Sequence, residues 1–591
     1  MTAKKNIICV GILISLICIF VIDSLPQELQ QSESIKQLYK EYYHIQKMEA
    51  DQKIQDALNE HKQFIKKHPN FYEIYRSIAR ISKESQKLGE AVSLFEELIV
   101  NEPDQPAYFY GLGLCYKAQD DQDKASENFK IAIERGGSFI RLFYDLLVMA
   151  NTEKESLFLI DYFEKRAKLS PENSMFYYAI GALYEFKFKK YSLALESYQR
   201  ALEIARSTGN KSEEGQHLNM IGNYYWSRGD LRIAQNYYSE AVSAIQHTGN
   251  KVELAKYLYN SGLIQCWQGN PIKGREFYKK ALQADRETGN KVHEAQVLRS
   301  IGYTYFQTSQ YSLALDHYEQ ALQIAREVAD KPGENRYLLD IGEVHWVQGE
   351  YSEAIQRYES SLRNSQESGD KNTENLAYNQ LGNSFWKIGD YSKALHFYSR
   401  SFKMSREIGN KLGEATALNN MAIIFDKTGN LSRSLEHYIK SLKIFEEAGA
   451  KSSQGMCLNN IAGIHYRQHN YSLALEFYLQ ALKIAQETGE KRAEVNRLKN
   501  VANVYSKTNN FSEAEKYYLL SLEEANAIGI KELEAKIYGD MGYSFLDSFH
   551  IPKSIESFTK ALAIARELGL PETTWLSHSG LGIAYEQQGK P

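Results

Sequence analysis

The sequence predicts an all-α chain, a solenoid of antiparallel helix pairs, and three observations carry that prediction. A glycine recurs every 40 residues, at Gly209, Gly249, Gly289, Gly369, Gly409, Gly449, Gly489, Gly529 and Gly569, with Ala329 as the one substitute. A second tiny residue recurs on the same step, at Gly222, Gly262, Gly302, Gly342, Gly382, Ala422, Ala462, Ala502, Gly542 and Gly582. Proline is scarce, 10 in 591 residues, as a largely helical chain requires, because proline has no amide to give a helix interior. A fixed period of this length marks a repeat array, in which each unit buries its apolar face against its neighbours.

Each unit can be read from its residues. In the first helix of one unit, Glu374 to Ile388, Leu381 and Phe385 lie four apart and share a face. Gly382 between them has no side chain, so a second helix can approach closely. Gly389 ends this helix A, and Ser392 is expected to cap helix B by offering its oxygen to an unpaired amide. The same serine returns at Ser192, Ser312, Ser352, Ser432, Ser472 and Ser512. Ala394, with Ala234, Ala314, Ala354, Ala474 and Ala514, keeps helix B thin where it crosses helix A. Gly409 closes helix B in the left-handed conformation.

The N-terminal third uses a shorter step. Ala79, Gly113, Leu147 and Gly181 are 34 apart, and Pro69, Pro103 and Pro171 stand at one place just beyond helix B. The run Tyr110-Gly111-Leu112-Gly113-Leu114-Cys115-Tyr116, followed by Ala125, Phe129 and Ala132, resembles the tetratricopeptide repeat. The resemblance covers nearly all of residues 36 to 589. The 40-residue units are similar to those of kinesin light chains, Leu-Gly-Asn-repeat proteins and bacterial fusion proteins that carry such repeats. It implies a right-handed superhelical solenoid, with the A helices lining the concave face and the B helices the convex one.

Three stretches follow. Residues 1–25 read as a signal anchor or signal peptide, 36–207 as 34-residue-type units, and 208–591 as 40-residue-type units ending in a half repeat. The six extra residues per long unit, shared between two helices, should lengthen each by about half a turn.

The first stretch places Lys4 and Lys5 before an uncharged run from Ile7 to Ile22, which Asp23 and Pro26 end. A basic flank followed by an apolar run is an export signal or anchor, and positive flanks stay inside. The repeats are therefore expected on the extracytoplasmic side, tethered or secreted, with membrane contact through this segment only.

Composition excludes some functions. The net charge of −4 does not suit a general nucleic-acid binder. Cys115, Cys266 and Cys457 are too far apart in a solenoid to pair, and no cysteine spacing suits a zinc site. There is no His-Glu-x-x-His, no Gly-x-Ser-x-Gly and no phosphate-binding loop. No catalytic residue, cofactor or metal is expected. The expected function is a scaffold that binds a protein or an extended peptide.

Asparagine is a poor helix former, so its recurrence inside helix A calls for a reason. One series includes Asn219, Asn379, Asn419 and Asn459, the next includes Asn260, Asn420, Asn460 and Asn500, and one turn further stand Asn223, Asn383 and Asn503. In peptide-binding relatives such asparagines hold the ligand backbone, and the resemblance implies the same here. The competing reading is that they tie adjacent helices together. Lys387, Lys427, Arg467 and Lys507 recur at one position near the end of helix A. They read as a stripe that selects an acidic ligand, or as complements to the helix dipole. Trp346 and Trp386, with Trp226, Phe306 and Tyr466, each follow a core aromatic or histidine and are expected to face the groove. The carboxylate clamp of some relatives needs an asparagine where this chain has Asp540, although Lys499 and Asn503 fit it; that role is not carried over.

A reading from another class is a sensory arm of a multidomain enzyme, a caspase-like protease or kinase fusion, whose catalytic domain lies outside this chain. It rests on the final half repeat, which would leave Leu581 and Tyr585 with half their cover.

Overall fold

The computed structural model describes residues 33–50, 53–136, 139–150 and 152–589, and among these it shows 29 α-helices and no strand. The apolar run from Ile7 to Ile22 lies outside the described residues. Among those described, no helix is long and apolar enough to cross a membrane.

The chain forms two compact units, one ending at Ser368 and the other starting at Gly369. In the first, helices pair from Glu33–Ala50 with Ile54–Lys67 through to Lys331–Gln348 with Tyr351–Ser368. In the second, the pairs are Lys371–Lys387 with Tyr391–Glu407, Lys411–Lys427 with Leu431–Glu447, Lys451–Arg467 with Tyr471–Thr488, Lys491–Lys507 with Phe511–Ala527, and Lys531–Asp547 with Ile551–Glu567. The helix Pro571–Gln587 follows.

In the repeats that keep the helix A glycine and are followed by a helix B, an aromatic ring from helix B packs directly on it. A Cβ placed on Gly382 would stand 2.5 Å from Cε1 of Tyr398, far inside contact distance. Gly302 with Tyr318 and Gly542 with Phe558 repeat the arrangement. The glycine period of the sequence is thus a row of ring-accepting notches. Successive units in the first part are also joined by buried carboxylates: Glu214, Glu294 and Glu334 accept from Arg206, Arg286 and Arg326 of the preceding helix B, each at 3.0 Å.

Two expectations about local structure change. The helices Pro106–Ala118 and Gln122–Glu134 have 13 residues each, whereas Lys371–Lys387 and Tyr391–Glu407 have 17 each. A long unit therefore gains about one full turn per helix, not half a turn. The connections shorten to supply the difference, because a left-handed glycine reverses the chain in one residue: Gly409 has φ of 70° and Asn410 caps the next helix at once. For the same reason the cap of helix B is not the serine. Asp390 accepts from the Lys393 amide, Asn430 from Arg433 and Asn510 from Glu513. The turn at Gly389, with φ of 83°, brings Asp390 to the cap, and Ser392 falls inside the first turn.

Candidate protein-binding groove

The asparagines meet one another where consecutive A helices meet. Asn420 Nδ2 donates to Asn379 Oδ1 at 3.3 Å, and Asn500 Nδ2 to Asn459 Oδ1 at 3.0 Å. In the first unit Asn260 donates to Asn219 at 2.8 Å. The spacing is 41, one repeat and one residue, so the second series of one helix pairs with the first series of the helix before. At the same place other repeats carry an ion pair: Arg299 with Asp340, and Lys499 with Asp540 at 2.8 Å. Asn419 is buried, donating to Asn420 Oδ1 at 3.4 Å and accepting from the Cys457 thiol at 3.6 Å. Asn460 is in hydrogen-bonding contact with the Tyr438 hydroxyl.

These bonds tie adjacent helices, and they leave capacity unused. An asparagine amide has two donor hydrogens and two acceptor lone pairs, and each cross-helix bond takes one from either side. Asn379, Asn420, Asn459 and Asn500 are only half-buried. A line of amide groups therefore remains open toward solvent along the second unit.

Asn383 and Asn503 do something sequence reasoning missed. Asn383 Oδ1 accepts from the Tyr398 hydroxyl at 2.8 Å, and its amide donates to Gln380 at 2.8 Å. Asn503 Oδ1 accepts from Tyr518 at 2.5 Å and its amide donates to Asp540 at 3.1 Å. In the first unit Asn223 serves Tyr238, and Glu343 serves Tyr358. The signal was an asparagine or glutamate 15 residues before the core tyrosine in these four repeats, at Asn223, Glu343, Asn383 and Asn503. A ring buried on the glycine notch still carries a hydroxyl that must be paired. Asp540 collects both Lys499 and Asn503, so the residues that fit the carboxylate clamp already hold a carboxylate of their own chain.

The cations divide. Arg467 pairs with Asp426 of the preceding A helix, and Lys507 with Asp547 of the following one at 3.0 Å. Lys387 lies over the Trp386 ring, 4.9 Å from its centroid, and Lys427 is exposed. Trp386 is half-buried beneath its lysine. In the first unit Trp346 packs edge-on against Tyr351 of its own helix B, 6.2 Å between centroids, and Phe306 meets Tyr311 in a tilted pair at 5.9 Å.

No three or more His, Cys, Asp or Glu among the described residues are placed to hold a metal. Burial pushes the Cys457 thiol up to about 11 and the Cys115 thiol up to about 12, so neither is poised as a nucleophile.

A helix pair repeated along the chain, with a glycine notch and a ring to fill it, is the arrangement that a model of the tetratricopeptide repeat matches at residues 173–246, 253–327, 304–367, 333–407, 372–447 and 455–525, together more than half of the chain. The chain belongs to the tetratricopeptide-repeat family. No curated protein matches this tetratricopeptide-repeat chain. Solved structures similar to it include BtubC (BKLC) from P. vanneervenii, at 21% identity and a TM-score of 0.34, over 36% of this chain and 91% of that one. The apo form of RapI is 18% identical with a TM-score of 0.38, over 47% and 99%. The apo form of the quorum sensor NprR from B. thuringiensis is 17% identical with a TM-score of 0.42, over 58% and 99%.

Proposed function

We propose that this tetratricopeptide-repeat scaffold holds an extended, acidic stretch of another protein along the A helices from Lys371–Lys387 to Lys491–Lys507. The observation that carries the reading is the line of half-buried amides at Asn379, Asn420, Asn459 and Asn500, whose spare donors and acceptors suit a peptide backbone of any sequence. Lys387 and Lys427 stand on the same A helices with their charge at the surface and supply the preference for acid. Arg467 and Lys507 continue the same row of cations and are paired with Asp426 and Asp547. The scaffold is exported and tethered through its N-terminal segment, a reading that rests on Lys4, Lys5 and the uncharged run after them.

Capture from the native source with the full chain as bait, followed by mass spectrometry and binding of peptides cut from the captured protein, tests the first part. An acidic peptide that competes for the whole partner supports it; capture that no linear peptide can compete away contradicts it. Protease added to intact cells tests the second part. Digestion of the repeats supports export, and protection until lysis contradicts it.

A further inference from the structure

Helix B of each long unit turns one face outward, and the exposed positions fall three and four residues apart on it. In Leu431–Glu447 they include Arg433, Glu436, Ile439, Lys440 and Lys443. The place of Ile439 is polar in most long units: Ser239, Lys279, Glu319, Glu359, Ser399 and Thr559. In three consecutive units it is apolar. Ile439 is 53% exposed, Leu479 37% and Leu519 52%, and Leu520 beside the last is 39% exposed. Single exposed leucines are ordinary, whereas large apolar residues at one position of three consecutive helices B, where most long units are polar, make a row suited to a contact surface.

The rows flanking this apolar strip say what covers it. The row of Arg433 continues as Leu473 and Glu513, the row of Glu436 as Glu476 and Lys516, and the row of Lys443 as Lys483 and Glu523. Each row reverses its sign between the first helix and the third, with the helix Tyr471–Thr488 in the middle. We propose that a second copy of this chain docks here, about a two-fold axis running along Tyr471–Thr488. Such an axis lays Leu431–Glu447 of one copy over Phe511–Ala527 of the other at equal height. Arg433 then faces Glu513 of the second copy, Glu436 faces Lys516, Lys443 faces Glu523, and Leu479 meets its own counterpart.

Self-complementarity of this kind is what a two-fold interface demands, because residue i meets j and j meets i. An unrelated partner would require no reversal of charge about the centre of the strip. Glu476 and Lys483 meet like charges on the axis helix, at the rim of the strip, where water and salt screen them. The present partners of these charges do not compete strongly: Lys516 with Glu513 and Lys440 with Glu436 are exposed pairs within one helix.

The test is Leu479→Cys in the full chain, treated with a short bismaleimide, with the parent chain as the blank for its native cysteines. Thr559→Cys, at an exposed position, lies two units away from the axis helix, where its own counterpart is out of reach. The proposal expects a covalent homodimer from Leu479→Cys and none from Thr559→Cys. It also expects Arg433→Glu with Lys443→Glu to cut the yield several-fold, and the further changes Glu513→Arg with Glu523→Lys to restore it. Circular dichroism of each variant checks that the exposed substitutions leave the fold intact. Equal yields at the two cysteines, no product from Leu479→Cys, a product containing a different protein, or a charge reversal that does not restore the dimer each overturns it.

Discussion

Asn420 donates its side-chain amide to Asn379, one repeat and one residue earlier in the chain, across the gap between two A helices. The bond makes the asparagine ladder part of the solenoid's stiffness as well as a surface for a ligand. A net hydrogen bond of this kind contributes about 1 kcal/mol. Asn420→Ala should therefore destabilise the second unit by up to that amount, offset in part by the better helix propensity of alanine. Asn379→Ala, Asn420→Ala and the double variant, compared by hydrogen exchange, should show coupling between the two sites. Strictly additive effects would mean that the two side chains do not act on each other.

Gly382→Leu should be far more damaging. Its first added atom would stand 2.5 Å from the Tyr398 ring, and the ring cannot withdraw without breaking its bond to Asn383. Overpacking of this kind costs about 1–3 kcal/mol or more. In a solenoid the loss is local, so exchange should accelerate in Lys371–Lys387 and Tyr391–Glu407 and remain unchanged near Phe558. Unchanged exchange in both helices contradicts the notch.

His217 is buried in the first unit beside Ser174, whose hydroxyl lies 2.7 Å from Nε2, and burial pushes its pKa down to about 3. The unfolded chain takes up a proton below the ordinary value of about 6.5, and the folded chain does not until about 3. Stability is thus fully present above about 6.5 and declines as pH falls through this window, by up to roughly 1.4 kcal/mol per pH unit from this group. Helix Lys211–Ser227 should open more readily at pH 5 than at pH 7 after correction for intrinsic exchange. His217→Gln should remove most of the difference; an equal pH dependence in that variant would assign it to other groups.

Cys457 should be inert in the folded protein. Its thiol is fully buried between Ser441 and Asn419 and pushed up to about 11. Alkylation by iodoacetamide at pH 8 should mark it only after unfolding in urea, and rapid labelling of the native chain would contradict its placement.

The fold was readable from sequence because a repeat states each rule many times. Gly382 alone would be one glycine in a helix, but its counterparts at 40-residue intervals identify a packing site. The caps were misread because asparagine and aspartate at the helix B start vary from unit to unit, while Ser392 and its counterparts repeat more uniformly. The asparagine roles were harder to read because one residue type serves two geometries. Asn420 reaches across to the preceding A helix, and Asn383, one turn away from Gln380, reaches across to a tyrosine of its own unit. Only the spacing of 15 to Tyr398, or of 41 to Asn379, separates them, and neither is visible until the crossing of the helices is known.

The central claim is that the A helices of the second unit hold an acidic peptide, with amides on the backbone and cations choosing the charge. The most direct measurement is the affinity of the competing peptide for wild type and for Lys387→Glu with Lys427→Glu, at low and at physiological salt. Both positions are at the surface, so the variant should fold normally by circular dichroism. The account predicts that charge reversal weakens binding by about tenfold or more at low salt, which is about 1.4 kcal/mol, and that the gap narrows as salt is raised. Equal affinity of the two proteins at both salt concentrations would contradict it and leave the asparagine ladder with its structural role alone.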